Sequence, residues 1–259
     1  MKKILTVFTG GTICSAPDGE KRNLSPLLAK RVLLSRFSEG ESLYAKESHE
    51  LFEDSDCQVQ TLSENMTLRK LEQIGAHLKE FSFGEFQGVI VLHGTDTLAF
   101  TASLFSILFS SCSVPMMLVS GNRPPMDDAS NANANLQTAV ELIREGIAPN
   151  VYVPYRNSDG KMRLYLGSCL MQCENVSEDF RSSLSQGVFL TEDRPYLLQK
   201  CRELSEKRET LLFEPKLSSE VNCLLIRPYP GLDYCRINLD SADAVVHGTE
   251  HSGTVCEIH

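Results

Sequence analysis

The feature that most constrains this chain is a set of short apolar runs that are continuous rather than alternating. Residues Ile4–Phe8, 89–92, Met116–Val119 and 151–153 are apolar at nearly every position. A strand with one wet face alternates apolar and polar side chains, so an unbroken run is buried on both faces. Between the runs, apolar residues recur at helical spacing. One stripe is Leu68, Leu71, Ile74 and Leu78, and a second is Leu98, Ala102, Phe105 and Leu108. A third, Leu136, Ala139, Val140 and Ile143, is stopped by Gly146 as a C-terminal cap. The pattern predicts an α/β fold, an open and mostly parallel sheet with helices on both faces.

This domain is expected over residues 1–195. Residues 200–209 are dense in charge (Arg202, Glu203, Glu206, Lys207, Arg208, Glu209) and read as an exposed helix or, over 196–214, a charged linker. Apolar runs return at 221–226 and 244–246, with Pro228-Tyr229-Pro230-Gly231 as a turn. Residues 215–259 therefore read as the start of a smaller, truncated α/β domain, with too few residues to close a core of its own.

The chain has 259 residues, 42% of them hydrophobic, which is enough to bury a sizeable core. Its net charge of −9 argues against a nucleic-acid partner, which attracts a basic face. No apolar run approaches the ~20 residues of a membrane span. The run after Met-Lys-Lys is shorter than the roughly 7–15 apolar residues of a secretory leader. A cytoplasmic location is expected. Nine cysteines, an odd number without repeating spacing, read as free thiols. Cys169 and Cys173 have no second pair to complete a zinc site, and His247 and His251 lie on a Gly-flanked loop. No metal is expected at either place.

In an open parallel sheet, ligands bind beyond the carboxyl ends of the strands. Three runs end there in polar, Gly-rich loops: Thr9-Gly10-Gly11-Thr12-Ile13, His93-Gly94-Thr95-Asp96-Thr97 and Ser120-Gly121-Asn122-Arg123-Pro124. The first is neither a dinucleotide fingerprint nor a P-loop. Its glycines leave amides pointing outward beside the Thr12 hydroxyl, an arrangement suited to nucleophilic attack with an oxyanion site. Thr95 and Asp96 add a hydroxyl and a carboxylate. Each loop also fits a capped strand-to-helix turn, since Thr and Asp are good N-caps. Convergence of the loops on one rim favours chemistry over capping.

Together, Thr9-Gly-Gly-Thr-Ile13 and Val91-Leu-His-Gly-Thr-Asp-Thr97 resemble the two signature motifs of the bacterial-type L-asparaginases, amidohydrolases that use threonine. Leu62-Ser-Glu-Asn-Met-Thr67 resembles that family's substrate-carboxylate loop. Ser120-Gly-Asn-Arg-Pro124 is similar to its Gly-Ser-Gln-x-Pro turn, and Arg227-Pro-Tyr-Pro-Gly231 to the opening of its smaller domain. The likeness is to the type I-like, cytoplasmic branch, shortened at the C-terminus.

The resemblance implies that Thr12 is the nucleophile, forming an acyl-enzyme with asparagine and releasing ammonia. It implies that Thr95 assists, that Asp96 binds the α-amino group, and that Ser63 takes the α-carboxylate with Glu64 beside the amino group. Gly11 and Gly94 would permit close backbone approach. It implies no metal or organic cofactor, a small-molecule substrate (asparagine or aspartate), and a homodimer or homotetramer. His93 is expected to be a strand-end residue rather than the base.

Three departures matter. The family's lysine near the second threonine has no counterpart. Counting forward from Leu164-Tyr165 puts Gln172 there, and counting back from Phe180 puts Met171 there, while Lys161 lies before the run. The tyrosine of the family's mobile loop is missing between Cys14 and Leu43. The smaller domain is short. Two functions follow as expectations: an amidohydrolase turning L-asparagine into L-aspartate and ammonia, or a degenerate relative that binds an acidic amino acid or its amide without efficient turnover. An amidase component acting on a charged tRNA is disfavoured by the negative charge.

Overall fold

The computed structural model describes residues 2–18, 21–40, 44, 48–55, 57–207, 211, 216–218 and 220–255. The chain divides into two compact units, Met1–Lys216 and Leu217–His259.

The first unit begins with β1 (Ile4–Phe8), a hairpin of β2 (Ser15–Asp18) and β3 (Lys21–Leu24), α1 (Pro26–Glu39), the short α2 (Ser48–Leu51) and β4 (Phe52–Ser55). It continues through α3 (Leu68–Lys79), β5 (Gly88–Leu92), α4 (Leu98–Leu108), β6 (Met116–Val119), α5 (Ala132–Arg144) and β7 (Val151–Arg156). It ends with β8 (Met162–Leu166), β9 (Val188–Leu190) and α6 (Arg194–Glu206). Seven strands form one sheet in the order β4-β1-β5-β6-β7-β8-β9. The first five are parallel, and β8 runs antiparallel to both neighbours. All four apolar runs read as strands are in this sheet, and the three helical stripes are α3, α4 and α5.

The strand alternation explains why these runs are unbroken. Ile4, Ile90, Leu92, Met117, Val119 and Tyr152 face one side, where α1, α5 and α6 cover them with Leu33, Leu136, Ala139 and Leu197. Leu5, Val7, Val89, Val91, Met116 and Leu118 face the other, under Ile74 and Leu78 of α3 and Ala102 and Phe105 of α4. The charged stretch beyond residue 194 is largely α6; Arg208 and Glu209 lie outside the described residues. The charge of α6 lies on one side only, because Leu197 and Cys201 are fully buried on the other.

The order of strands places the site. From β1 the chain moves outward to β4, then returns to β5 on the opposite side of β1. The carboxyl ends of β1 and β5 therefore flank a topological switch point, where open α/β sheets bind ligands.

The second unit pairs β10 (Cys223–Ile226) with β11 (Ala244–His247) in parallel. Val246 remains 54% exposed, so this pair buries little apolar surface. Among the described residues, no helix is long and apolar enough to cross a membrane.

Phe105 is fully buried and meets Phe109 edge-on at 5.2 Å between ring centroids. Phe105→Ala is expected to cost about 3–5 kcal/mol, the range for a large core truncation. Urea unfolding followed by circular dichroism checks this.

Candidate active site

Two glycines bring the first two loops into contact. Gly10 and Gly11 adopt φ of 112° and 76°, a region that side chains rarely enter. A Cβ on Gly11 would lie 2.2 Å from the Gly94 Cα, and one on Gly94 would lie 2.4 Å from the Ser63 Cβ. Backbone thus packs on backbone where three loops meet. Hydrogen bonds fix the contact: Gly11 N–H donates to the Thr61 carbonyl at 2.8 Å, Thr61 N–H to Thr9 at 3.1 Å, and Thr9 N–H to Leu92 at 3.0 Å.

Neither loop uses its hydroxyls for helix capping. Gly11, not Thr12, occupies the N-cap of the single 3-10 turn Thr12–Cys14, with no side-chain cap bond. At α4 the N-cap is Thr97, again without a side-chain cap bond, and its hydroxyl donates instead to the Ser63 carbonyl at 3.0 Å. The capping alternative therefore fails for both. Thr12 and Thr95 are half-buried, each next to one of the two packed glycines.

Ser63 joins the second loop to the third. It is 2% exposed, and its hydroxyl donates to the Asp96 carboxylate at 2.5 Å. The Asp96 N–H returns a 3.3 Å bond to the same oxygen. Glu64 sits on the same turn but is exposed and does not line the neighbouring cavity.

That cavity, of about 490 Å³, is lined by Thr95, Asp96, Asn122, Tyr155, Gln172, Cys173, Glu174, Asn175 and Glu178. Among the described residues, no lysine or arginine lines it. Gln172 faces it, whereas Met171 is 49% exposed and does not line it. Lys161 is exposed on the β7–β8 turn, its N–H bonded to Asp159. Asn122 is held by reciprocal bonds with Asn131 at 2.9 and 3.1 Å. Burial, and then the carboxylates of Glu178, Asp96, Asp179 and Glu174, push the Cys173 thiol up to about 12. It stays protonated at neutral pH and is no nucleophile. Tyr155 and Glu178 carried no sequence signal. Both arrive from chain beyond the motifs, Glu178 at a backbone φ of 57°.

His93 is fully buried. Its Nδ1 lies 2.8 Å from the Gly94 carbonyl, which fixes the proton there, and Nε2 accepts from Thr101 at 2.9 Å. Burial lowers its pKa to about 4. Both nitrogens are engaged by the fold, as expected of a strand-end residue. Protonation would charge a sealed site, so the unfolded chain, at about 6.5, takes up the proton first. Stability should fall as pH drops from about 6.5 to about 4 and change little from this source below that, by about 3 kcal/mol in all. Urea midpoints at pH 7 and 4.5 should differ less in His93→Asn than in the parent.

The chain matches the family described as "Asparaginase, N-terminal" over residues 3–171. It is 27% identical over 237 residues to the L-asparaginase of Thermococcus kodakarensis, covering 89% of this chain and 65% of that one. It is also 27% identical over 238 residues to a glutamyl-tRNA(Gln) amidotransferase subunit from Saccharolobus solfataricus, covering 89% of this chain and 51% of that protein. The chain thus spans between half and two thirds of the length of these relatives. The solved thermostable L-asparaginase from Thermococcus kodakarensis superposes with a TM-score of 0.69 at 24% identity, over 98% of this chain and 73% of that one. With both threonine loops inside the matched region and packed on one another, the chain belongs to the asparaginase family.

Proposed function

We propose that this chain is an amidohydrolase that converts L-asparagine to L-aspartate and ammonia through an acyl-enzyme on Thr12. The observation that carries the reading is the packing of Gly11 on Gly94. It brings the loops that carry Thr12 and Thr95 against one another, next to the Ser63–Asp96 pair. A zwitterionic amino acid needs an acceptor for its ammonium and donors for its carboxylate. Asp96 supplies the first. When the ammonium takes over that carboxylate, the Ser63 hydroxyl turns to the ligand's carboxylate. Thr12 then attacks the side-chain carbonyl, its hydroxyl proton passes to the amide nitrogen, the C–N bond breaks and ammonia leaves. Water, positioned by Thr95, hydrolyses the ester to return the hydroxyl and release aspartate. The outward amide expected at Gly11 is not free, because its N–H is spent on the Thr61 carbonyl, so Gly11 is not the oxyanion donor. The net charge of −9 favours a small amide over one carried on tRNA.

The lining of the cavity favours a second reading, a protein that binds the amino acid with little turnover. Gln172 and Thr95 line the same cavity, and a neutral amide there supplies no charge to ease ionisation of the threonine. Ammonia release from asparagine by the purified chain, beside calorimetric binding of aspartate, separates the two.

Thr12→Ala is expected to abolish turnover while aspartate binding stays within about tenfold, because the lost hydroxyl acts in the transition state. Turnover equal to the parent's overturns the nucleophile assignment. Gln172→Lys is expected to raise turnover of a slow parent, and Met171→Lys to raise it less, since Gln172 is the one that faces the cavity. Lys161→Ala should be nearly silent. Steady-state ammonia production reads all three.

A further inference from the structure

Lys70 lies in the first turn of α3, outside the groups given roles above. Its ammonium donates to the Thr61 hydroxyl at 2.9 Å and to the Asn65 carbonyl at 2.7 Å. Those two residues bracket the turn that carries Ser63 and Glu64. The same turn is tied inward by the Ser63–Asp96 and Thr97–Ser63 bonds. Thr61 is itself bonded to the first loop through Thr9 and Gly11. One cation therefore closes the flanks of the turn and, through Thr61, reaches the backbone beside Thr12.

An ammonium has three protons, and two are directed at these oxygens. Lys70 is also half-buried, so its charge is screened less than that of a fully solvated lysine. Ser63 is a neutral donor, and a carboxylate held by it alone would gain no Coulombic attraction. On the amidohydrolase reading, on which this inference rests, we propose that Lys70 is the positioning residue of the carboxylate subsite. It locks the 61–65 turn and supplies the positive field that selects ligands with a free α-carboxylate. Amides whose α-carboxyl is blocked, as in a peptide link, are then poor ligands.

The test uses the full chain and its Lys70→Met and Lys70→Arg variants. Lys70→Met is expected to raise KM for asparagine about tenfold, the scale of a lost charge-assisted contact, with kcat within about threefold. Aspartate binding by calorimetry should weaken equally, while binding of the analogue with an α-carboxamide should not change. Lys70→Arg should recover most of the KM. An unchanged KM, a loss equal for both ligands, or a fall in kcat alone overturns the proposal. If the parent neither turns over asparagine nor binds aspartate, the amidohydrolase reading fails by itself, and the clamp is read by hydrogen exchange. The amides of Asn65 and Met66, bonded to Leu62 and Ser63 at 3.0 and 3.1 Å, should then exchange faster in Lys70→Met at unchanged Tm. Unchanged exchange overturns the clamp as well.

Discussion

The close approach of Gly11 to Gly94 is the constraint on which the site depends. With any side chain at either position the strand-end loops would separate, because the space is filled by backbone and by Ser63. Contact between main chains leaves no slack, so the hydroxyls that follow the glycines are placed by the sheet rather than by flexible side chains. The loop of residues 61–65 is drawn into the same junction by Thr61, whose amide and carbonyl both bond the β1 loop. Strand spacing in a parallel sheet is fixed by its ladder, so three loops anchored to adjacent strands or to each other form a rigid rim.

The electrostatics of the rim follow from what is buried and what is not. His93 is sealed and held neutral, so it supports the β5 end without offering a proton. Asp96 is exposed, and its carboxylate accepts a hydrogen bond from the buried Ser63 hydroxyl. Beyond it the cavity is polar and carries carboxylates, and among the described residues no cation lines it. Thr95 therefore has no cation from this lining to favour its ionisation.

Local signals made part of this readable in advance. Unbroken apolar runs marked β1, β5, β6 and β7 because strands covered on both faces cannot alternate. Gly-rich strand ends marked the loops because only a positive φ or a close backbone approach demands glycine there. The antiparallel edge was less visible. β9 has three residues, two of them only partly buried, and β4, Phe-Glu-Asp-Ser, carries two acidic residues at the exposed margin of the sheet. Edge strands need no apolar face on both sides, so they leave no strong pattern. In α6 the charges that suggested a solvated segment hide a narrow apolar seam of Leu197 and Cys201.

The sequence by itself determined the class of fold, the strands at its centre and the Gly-rich strand-end loops that carry Thr12, Thr95 and Asp96, because these are encoded in local periodicity and in short motifs. Only the tertiary structure decided that Gln172 rather than Met171 faces the cavity, that Tyr155 and Glu178 wall it, and that the Lys70 ammonium bonds Thr61 and Asn65 on either side of Ser63. Those facts depend on how segments far apart in the chain pack, and on which way a non-periodic stretch turns its side chains. A one-residue shift in such a stretch reverses inward and outward, and nothing local in the chain records it.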